Sequence, residues 1–409
     1  MPRLFHHSIH FQYSLFPKNM RLLFAGHLLR GAAQQSVGLF LPVFLFLLGK
    51  DASFFQTMSF FAHTSDIARG VISVALFYTL YRIFVFVLAI PLAQIMRRLG
   101  LMKSMMLGNA FMLLSYLFLS FSTQRPTLLF FVPILLAIET IFYWVSYYTQ
   151  FSIRSDFRTL GQEVGALEFM ERIVRAALPM AGGVIIGLFG FQTLHFMGAL
   201  LLLSASLFLL PIKEIVVSTE VRFHDYLTWT RQKFSKEIIL SMLGKYMDDG
   251  AIMLWSVYTL IFLGSAERVG YLYSVILFLS LAIAYFMGWY LGKHRGLKAM
   301  YISGSLLSLV WVLRGFVQSL WHIITVDLMD RMAISVFQPV YDTLLFRISR
   351  GKHVFRFYLF REMTLAIFGC IFWTLVSFFF LTSIQWTGIF ILGSLGILLS
   401  FSIVYGESK

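Results

Sequence analysis

The chain contains 409 residues, of which 59% are hydrophobic and 13% are charged. Soluble domains contain about 45 to 50% apolar and about 25% charged residues, so a soluble fold is excluded because too few polar side chains remain to cover its surface. The net charge of +14 is carried by short clusters between apolar segments. That distribution is typical of cytoplasmic loops and excludes a nucleic-acid partner. Cys370 is the single cysteine, and the sequence predicts no disulfide, no metal and no cofactor.

The apolar segments predict twelve membrane-spanning helices of roughly 20 residues each. The six spans of the first half are predicted near Arg21–Leu48, Ala68–Ile95, Ser104–Ser122, Thr127–Ile153, Val164–Gly190 and Phe191–Leu210. The six spans of the second half are predicted near Ile238–Leu263, Val269–Leu291, Leu297–Val317, Leu320–Ile348, Phe357–Leu381 and Ile384–Tyr405.

A long polar segment, Pro211–Glu237, divides the chain near its midpoint. We therefore predict two six-helix bundles, residues 21–210 and 238–405, joined by a cytoplasmic central segment at 211–237. Residues 1–20 and 406–409 are predicted to be cytoplasmic ends. Within the central segment, apolar residues recur at helical spacing from Val221 to Phe234. This periodicity predicts an amphipathic helix on the cytoplasmic membrane face, and a flexible linker is the alternative.

Basic residues predict the orientation, because Lys and Arg concentrate in cytoplasmic loops. They lie in alternate loops, with Lys50, Arg125 and Arg268 as the exceptions. We therefore predict a multi-pass protein of the cell membrane with both termini in the cytoplasm. The clusters that set this orientation, besides the central segment, are Arg97, Arg98 and Lys103; Arg154 and Arg158; Lys293, Arg295 and Lys298; and Arg347, Arg350, Lys352 and Arg356.

Related segments occur at matching places in the two halves, which favours a duplicated six-helix unit. AQIMRRLGLMKSM begins at Ala93 after the second predicted span, and GWYLGKHRGLKAM begins at Gly288 after the eighth. In both segments a Gly-Leu pair, at Gly100 or Gly296, is followed within three residues by a lysine.

With these features the chain resembles the major facilitator superfamily over its whole length. The motif of that family after the second span is Gly-x-x-x-Asp-Arg-x-Gly-Arg-Arg. Arg98 and Gly100 match its arginine and second glycine, and Lys103 adds basic character. Ala93 and Arg97 stand where the family has Gly and Asp, so the conformational latch made by that Asp is absent. The second-half counterpart consists of Gly288, Lys293 and Gly296. The resemblance implies an all-α membrane protein with twelve helices in two pseudo-symmetric six-helix bundles.

The fifth span contains Pro179, Gly182 and Gly183, a pattern similar to the Gly-Pro-x-x-Gly-Gly signature of proton-coupled exporters in this family. Leu178 stands where the signature begins with glycine. Proline kinks a helix and glycine permits close packing. The resemblance implies an exporter, and an ordinary packing kink is the alternative.

Charged residues inside several spans are the main candidate functional residues, because a charge in a bilayer is costly unless it is paired or faces a cavity. On the fifth span, Glu168 with Arg172 and Glu171 with Arg175 are spaced i, i+4 and are predicted to pair. They form either a structural ion-pair network or a relay whose pairing changes during transport. The seventh span places three further charges on one face, namely Lys245, Asp248 and Asp249.

The resemblance implies that spans one, four, seven and ten line a central cavity, which places Arg30, Glu139, Asp248 and Asp327 beside a substrate. Arg30 and Lys245 occupy similar places in the two halves, so an anion held between them is an alternative.

Two expectations concern partners. Asp327 and Arg331 are spaced i, i+4 and are expected to neutralise one another. Arg361 and Glu362 are adjacent in sequence and are expected to have separate partners.

Our hypothesis is a secondary active transporter that acts as a monomer in the lipid bilayer, moves a small molecule and is driven by protons. We expect it to export a hydrophobic or amphiphilic compound. Glu171 and Asp248 are the leading proton sites, followed by Glu139 and Asp327. Uptake or exchange of an anionic metabolite and lipid scrambling are alternatives. Asp327-x-x-Asp330 faintly resembles the Mg²⁺ motifs of membrane prenyltransferases, so an enzyme is the least favoured class.

Overall fold

The computed structural model describes residues 18–50, 64–154, 160–291, 296–349 and 353–407. Within these ranges, the side chains of residues 18, 160–169, 172–177, 233–234, 281–291 and 407 lie outside the description. The described chain is almost entirely helical and contains no strand.

The described α-helices are numbered in chain order. They are α1 (Lys18–Gly38), α2 (Leu41–Lys50), α3 (Asp66–Leu99), α4 (Leu101–Ser122), α5 (Val132–Thr140), α6 (Ser146–Arg154), α7 (Leu160–Leu209), α8 (Phe223–Arg231), α9 (Lys233–Leu263), α10 (Ala266–Leu291), α11 (Gly296–Arg314), α12 (Leu320–Ser349), α13 (Val354–Leu381), α14 (Gln385–Ser400) and α15 (Ile403–Glu407). A 3₁₀ turn at Pro126–Phe130 precedes α5, and a π turn at Ile141–Val145 joins α5 to α6.

These helices account for the twelve predicted spans in the described chain. The first span consists of α1 and α2, and the fourth runs from Pro126 to Arg154. Gly190 has φ 79° and interrupts α7, so the residues before and after it form the fifth and sixth spans. The predicted boundary between those two spans lies at the same glycine. A positive φ favours glycine because it has no Cβ.

Eight helical segments of the described chain are long and apolar enough to cross a membrane. A ninth is counted if the pair Ser235–Leu263 and Ala266–Ser280, which bends by 118°, is taken as one span. Gly264, with φ 79°, lies at that bend, so we assign the pair to two spans. α12 is not among the eight, and it carries several of the charged residues described below.

The most extensive contacts between the two halves in the described chain are made by two pairs of helices. α3 packs along α13, and α7 packs along α10. The second contact is close because it uses glycine, since a Cβ at Gly270 would lie 2.9 Å from the Gly183 Cα. Beside it, the Met180 backbone N–H donates to the Ser274 hydroxyl over 2.7 Å. The Pro179–Gly183 segment therefore lies where the halves touch, while Gly182 faces Phe40.

The central segment crosses one end of the bundle, which we call the central-segment end. There the Glu214 carboxylate accepts from the backbone N–H of Met102 (2.7 Å) and of Lys103 (3.2 Å), at the first turn of α4. Leu101 donates to the Ile215 carbonyl over 2.9 Å. The Glu214 carboxylate of the central segment thus accepts hydrogen bonds from the free backbone N–H groups at the start of α4. Negative charge is favourable at the N-terminus of a helix.

The residues of the predicted loop motif are distributed as follows. Gly100 makes the turn between α3 and α4 with φ 88°. Arg98 and Lys103 are exposed and Arg97 is partly buried at the same end, Gly288 belongs to α10, Gly296 begins α11, and Lys293 lies outside the described residues.

The helix α8 lies within the part of the central segment for which the sequence predicts an amphipathic helix on the membrane face. Its buried face is formed by Tyr226 and Trp229. Tyr226 contacts Phe86 of α3 and Phe360 of α13, with ring centroids 6.3 and 5.6 Å away. Burial raises the pKa of Tyr226 and keeps its hydroxyl neutral, within 3.4 Å of the Thr364 hydroxyl. The buried face of α8 therefore covers a junction between the two halves.

Candidate functional site

Arg30 forms a charged centre inside the first half. Its side chain is fully buried and pairs with the buried Glu139 carboxylate. The guanidinium lies 3.5 Å from the Tyr143 ring centroid and 5.0 Å from that of Trp144. Both rings belong to the π turn, a feature often found at functional sites. Cation–π contact and an ion pair together compensate this buried charge.

His27 links this centre to the fifth span. Its Nδ1 lies 2.9 Å from the Tyr143 hydroxyl, and its Nε2 lies 3.0 Å from Glu171 Oε1. The ring also stacks on Tyr147 at 3.9 Å. We did not predict a role for His27 from the sequence. Its spacing three residues before Arg30, on one face of α1, is the signal that could have identified it.

Lys245 forms the corresponding centre on α9 of the second half. Its Nζ lies 3.1 Å from Asp248 Oδ2 and 2.6 Å from Asp249 Oδ1, as the helical spacing predicted. Trp311 of α11 donates to Asp248 Oδ1 over 2.8 Å. This centre therefore has two carboxylates for one cation.

Arg314 of α11 forms a second centre in the same half. It is fully buried and lies 3.3 Å from Asp327 Oδ1 and 3.2 Å from Asp330 Oδ1. The Trp311 and Trp255 ring centroids lie 4.0 and 4.7 Å from the guanidinium carbon. Trp255 also donates to Asp327 over 2.8 Å. The pair is therefore enclosed by aromatic rings.

This arrangement corrects the expected pairing of Asp327 with Arg331. Arg314 from another helix provides the partner of Asp327, while the Nε of Arg331 lies 3.9 Å from Asp330. A guanidinium between Asp327 and Asp330 also disfavours the Mg²⁺ hypothesis. No group of three or more His, Cys, Asp or Glu suited to a metal occurs among the residues that the structure describes.

A second correction concerns α13. Arg361 and Glu362 contact each other over 2.7 Å, although they are adjacent in sequence and were expected to have separate partners. Their long side chains bend toward one another, and the Arg361 guanidinium also lies 4.8 Å from the Tyr148 ring centroid. Asp342 of α12 accepts from Gln338 over 3.0 Å.

At the middle of the contact between α3 and α13, Arg82 meets the second half. Its Nε donates to the Tyr246 hydroxyl over 3.1 Å, and Trp373 donates to the same oxygen over 2.9 Å. Tyr78 stacks on Trp373 with centroids 4.8 Å apart. Residues from α3, α9 and α13 thus converge on one phenolic oxygen.

The central-segment end is closed by α6, α12 and α13. The Tyr358 hydroxyl lies 3.0 Å from the Ser152 hydroxyl and 2.8 Å from that of Ser349. Phe151 and Phe346 pack with ring centroids 4.4 Å apart. Because Ser152 and Phe151 belong to the first half and the others to the second, these contacts hold the halves together.

The predicted site residues thus form separate centres. Arg30 and Lys245 are each paired with carboxylates of their own half. Glu171 contacts His27 of the first span. The side chains of Glu168, Arg172 and Arg175 lie outside the described residues, so their pairing stays a prediction.

No family model matches the sequence, and no curated protein matches it significantly. Solved structures do match in fold. The human organic anion transporter TETRAN aligns with a TM-score of 0.71 at 16% identity, covering 95% of this chain and 99% of that chain. The E. coli fucose:proton symporter FucP aligns with a TM-score of 0.66 at 13% identity, covering 95% and 98%. A bacterial homologue of the iron transporter ferroportin, outward-facing, gives 0.65 at 12% identity, covering 96% and 100%.

These similarities define the class of fold. FucP is itself described as a major facilitator superfamily transporter. The chain has the fold of these transporters, and none of the three is described as an enzyme. Together with its apolar helices, this fold makes it a multi-pass membrane protein.

Proposed function

We propose that the chain is a secondary active transporter of the major facilitator superfamily. It moves a small molecule across the cell membrane by alternating access, with both termini and the central segment in the cytoplasm. The observation that supports this proposal is a pair of helical halves that meet at one end through the hydroxyl groups of Ser152, Ser349 and Tyr358 and through the rings of Phe151 and Phe346. Hydrogen bonds worth about 1 kcal/mol each can break and reform during a transport cycle.

Proton binding drives the cycle in this proposal. Glu171 and Asp248 are the leading proton sites, because each is a carboxylate inside a span whose partner can change. Glu171 contacts the His27 ring, with Oε1 3.0 Å from Nε2. Asp248 shares Lys245 with Asp249. Glu139 and Asp327 follow, since their arginine partners are fully buried.

The cargo is a hydrophobic or amphiphilic compound that the protein exports. The Pro179–Gly183 resemblance supports export, and its place where α7 meets α10 gives the segment a role in moving the halves. We propose that the monomer is the transporting unit, since each half contributes one side of the path.

The test uses purified protein in liposomes that contain a pH-sensitive dye. Amphiphilic anions, cations and zwitterions are added in turn, and the dye reports coupled proton movement. We expect at least one compound to move protons through the wild type. Glu171→Gln and Asp248→Asn should uncouple transport, whereas Glu220→Gln, on an exposed side chain, should not.

Two outcomes would contradict the proposal. If both neutral variants keep full proton movement, these carboxylates are structural ion pairs. If cargo equilibrates at the same rate with and without a proton gradient, the protein is a passive scramblase. The second measurement requires only a labelled lipid in the same liposomes.

A further inference from the structure

The inference concerns Arg82, which no predicted site includes. It lies at the middle of the 34-residue helix α3. A helix of that length extends about 50 Å, so Arg82 is roughly 25 Å from either end and close to the bilayer midplane. It lies on the face of α3 that meets the other half, because a Cβ at Gly369 of α13 would be 2.6 Å from the Arg82 Cγ.

The contacts of Arg82 are mainly aromatic. The guanidinium carbon lies 4.8 Å from the Tyr81 ring centroid and 4.7 Å from that of Tyr246. Nε donates to the Tyr246 hydroxyl, and within the described residues that is the one hydrogen bond of this guanidinium. The terminal nitrogens Nη1 and Nη2 therefore remain available as donors. The side chain is only partly buried.

Arg82 differs from the other Lys and Arg residues whose side chains are described well inside the spans. Each of those has a carboxylate within 4.0 Å: Arg30 with Glu139, Lys245 with Asp248 and Asp249, Arg314 with Asp327 and Asp330, Arg331 with Asp330, and Arg361 with Glu362. Arg82 has none among the described residues. Glu362 acts on it electrostatically but is already bonded to Arg361.

An arginine without a carboxylate partner at membrane depth is costly and marks a functional site by default. The planar guanidinium group of arginine matches the geometry of a carboxylate or another oxyanion. Hydrogen bonds between such charged groups are stronger than hydrogen bonds between neutral groups. We propose that Arg82 binds the anionic group of the cargo, so the cargo is an organic anion. The neighbouring ring of Tyr81, which is only partly buried, suits an aromatic or alkyl body. This inference rests on the transporter proposed above.

The same comparison disfavours the alternative of an anion held between Arg30 and Lys245. Both cations are already matched by carboxylates, and Asp248 and Asp249 would repel an anion beside Lys245. We therefore propose that an anion binds between the halves at Arg82 instead.

The experiment measures binding by thermal shift of the purified full-length protein, because a ligand of the folded state raises its melting temperature. The probes are benzoate, 2-naphthoate and decanoate, each with its neutral amide and its corresponding primary amine. Within each set the body is constant and the charge changes. We expect at least one anion to stabilise the wild type more than its matched amide and amine. If none does, the proposal is wrong.

Variants then assign the effect to Arg82. Arg82→Gln should weaken binding of the anion roughly ten- to a hundredfold and leave the amide unchanged, because it removes a charged hydrogen-bond donor. Arg82→Lys should retain part of the affinity. Arg125→Gln removes an exposed loop arginine and should change nothing. Size-exclusion chromatography and the melting temperature without ligand verify that each variant is folded.

Other outcomes would overturn the inference. Equal loss of anion and amide binding in Arg82→Gln would make Arg82 a packing residue. Anion selectivity that survives in Arg82→Gln would place the anion elsewhere. Failure of the transporter proposal is distinguishable, because it would appear as anion binding without proton-coupled movement in the dye-loaded liposomes.

Discussion

At the scale of single residues, the pair Arg30–Glu139 makes the strongest prediction about stability. Both side chains are buried, so Glu139→Gln leaves a guanidinium without its counter-charge. Removing one partner of a buried pair costs about 3 to 5 kcal/mol. We therefore expect a clearly lower melting temperature for Glu139→Gln in detergent.

The double variant Arg30→Met with Glu139→Leu provides the comparison. It removes both charges and should be much less destabilised than the single variant, because no uncompensated charge remains. A double variant as unstable as the sum of its single changes would show that Arg30 and Glu139 act independently.

The sequence identified many of the charged residues at membrane depth but few of their partners. The sequence placed Lys245, Asp248 and Asp249 on one helix face because helical spacing determines that arrangement, and the structure shows that they pair. Arg314 with Asp327 and His27 with Glu171 were missed, since these residues belong to different helices. Their contact depends on how helices rotate and pack, and one sequence does not encode that in its spacing.

At the scale of elements, the contact of α6 with α12 and α13 predicts how the halves separate. Tyr358→Phe removes the hydroxyl that contacts Ser152 and Ser349. Ser349 belongs to the same half as Tyr358, so only the contact with Ser152 spans the two halves. At about 1 kcal/mol for that hydrogen bond, the ratio of open to closed states should rise roughly fivefold. Spin labels at Arg98→Cys and Lys298→Cys, with Cys370→Ser, would measure the distance across this end.

Tyr271→Phe is the matched control, because Tyr271 is exposed on α10. It should leave the distance distribution unchanged. An unchanged distribution in Tyr358→Phe as well would mean that the aromatic contacts, including Phe151 with Phe346, hold this end closed without the hydroxyl.

The start of α4 makes a prediction about the central segment. Glu214→Ala removes an acceptor of two backbone N–H groups, and loss of such a cap costs about 1 kcal/mol. Trypsin should then cleave faster at Lys213. Glu220→Ala is the control, since the Glu220 side chain is exposed and bonds Arg222. Equal cleavage in both variants would contradict the role of Glu214.

The positions of the helices were predicted better than the surfaces on which they pack. The break at Gly190 and the helix α8 followed from glycine and from apolar spacing. The contact of Glu214 with the start of α4 could not be predicted from the sequence. The Glu214 carboxylate lies more than a hundred positions from the backbone N–H groups that donate to it. The sequence departs from the family motif by lacking the Asp at position 97, and this departure did not indicate where another acid would come from.

At the scale of the whole molecule, orientation is the prediction. We expect membrane-impermeant maleimide to label Lys213→Cys in inside-out vesicles and Arg125→Cys in right-side-out vesicles, both with Cys370→Ser. Basic loops stay in the cytoplasm, and the central segment carries several such residues. Labelling of Lys213→Cys only from the outside would reverse the topology.

The overall fold was predictable although no sequence relative matches. Identity to the structurally similar transporters is 12 to 16%, yet twelve apolar segments and a polar midpoint were sufficient to predict the architecture. A bilayer requires each span to be apolar, long enough and internally hydrogen-bonded. These requirements are visible in the composition of the sequence. Cargo selectivity depends on a few side chains between the halves, and the composition of the sequence does not reveal it.

The passage of α3 beside α13 at Arg82, Tyr246 and Gly369 has a mechanical consequence. When two bodies turn about a line of contact, an atom moves in proportion to its lever arm, so atoms on that line hardly move. An anion held there would keep the same contacts whichever end is open, and its affinity would be nearly equal from both sides. The direction of net flux would then be set far from that line, where Tyr358 would move the most relative to Ser152.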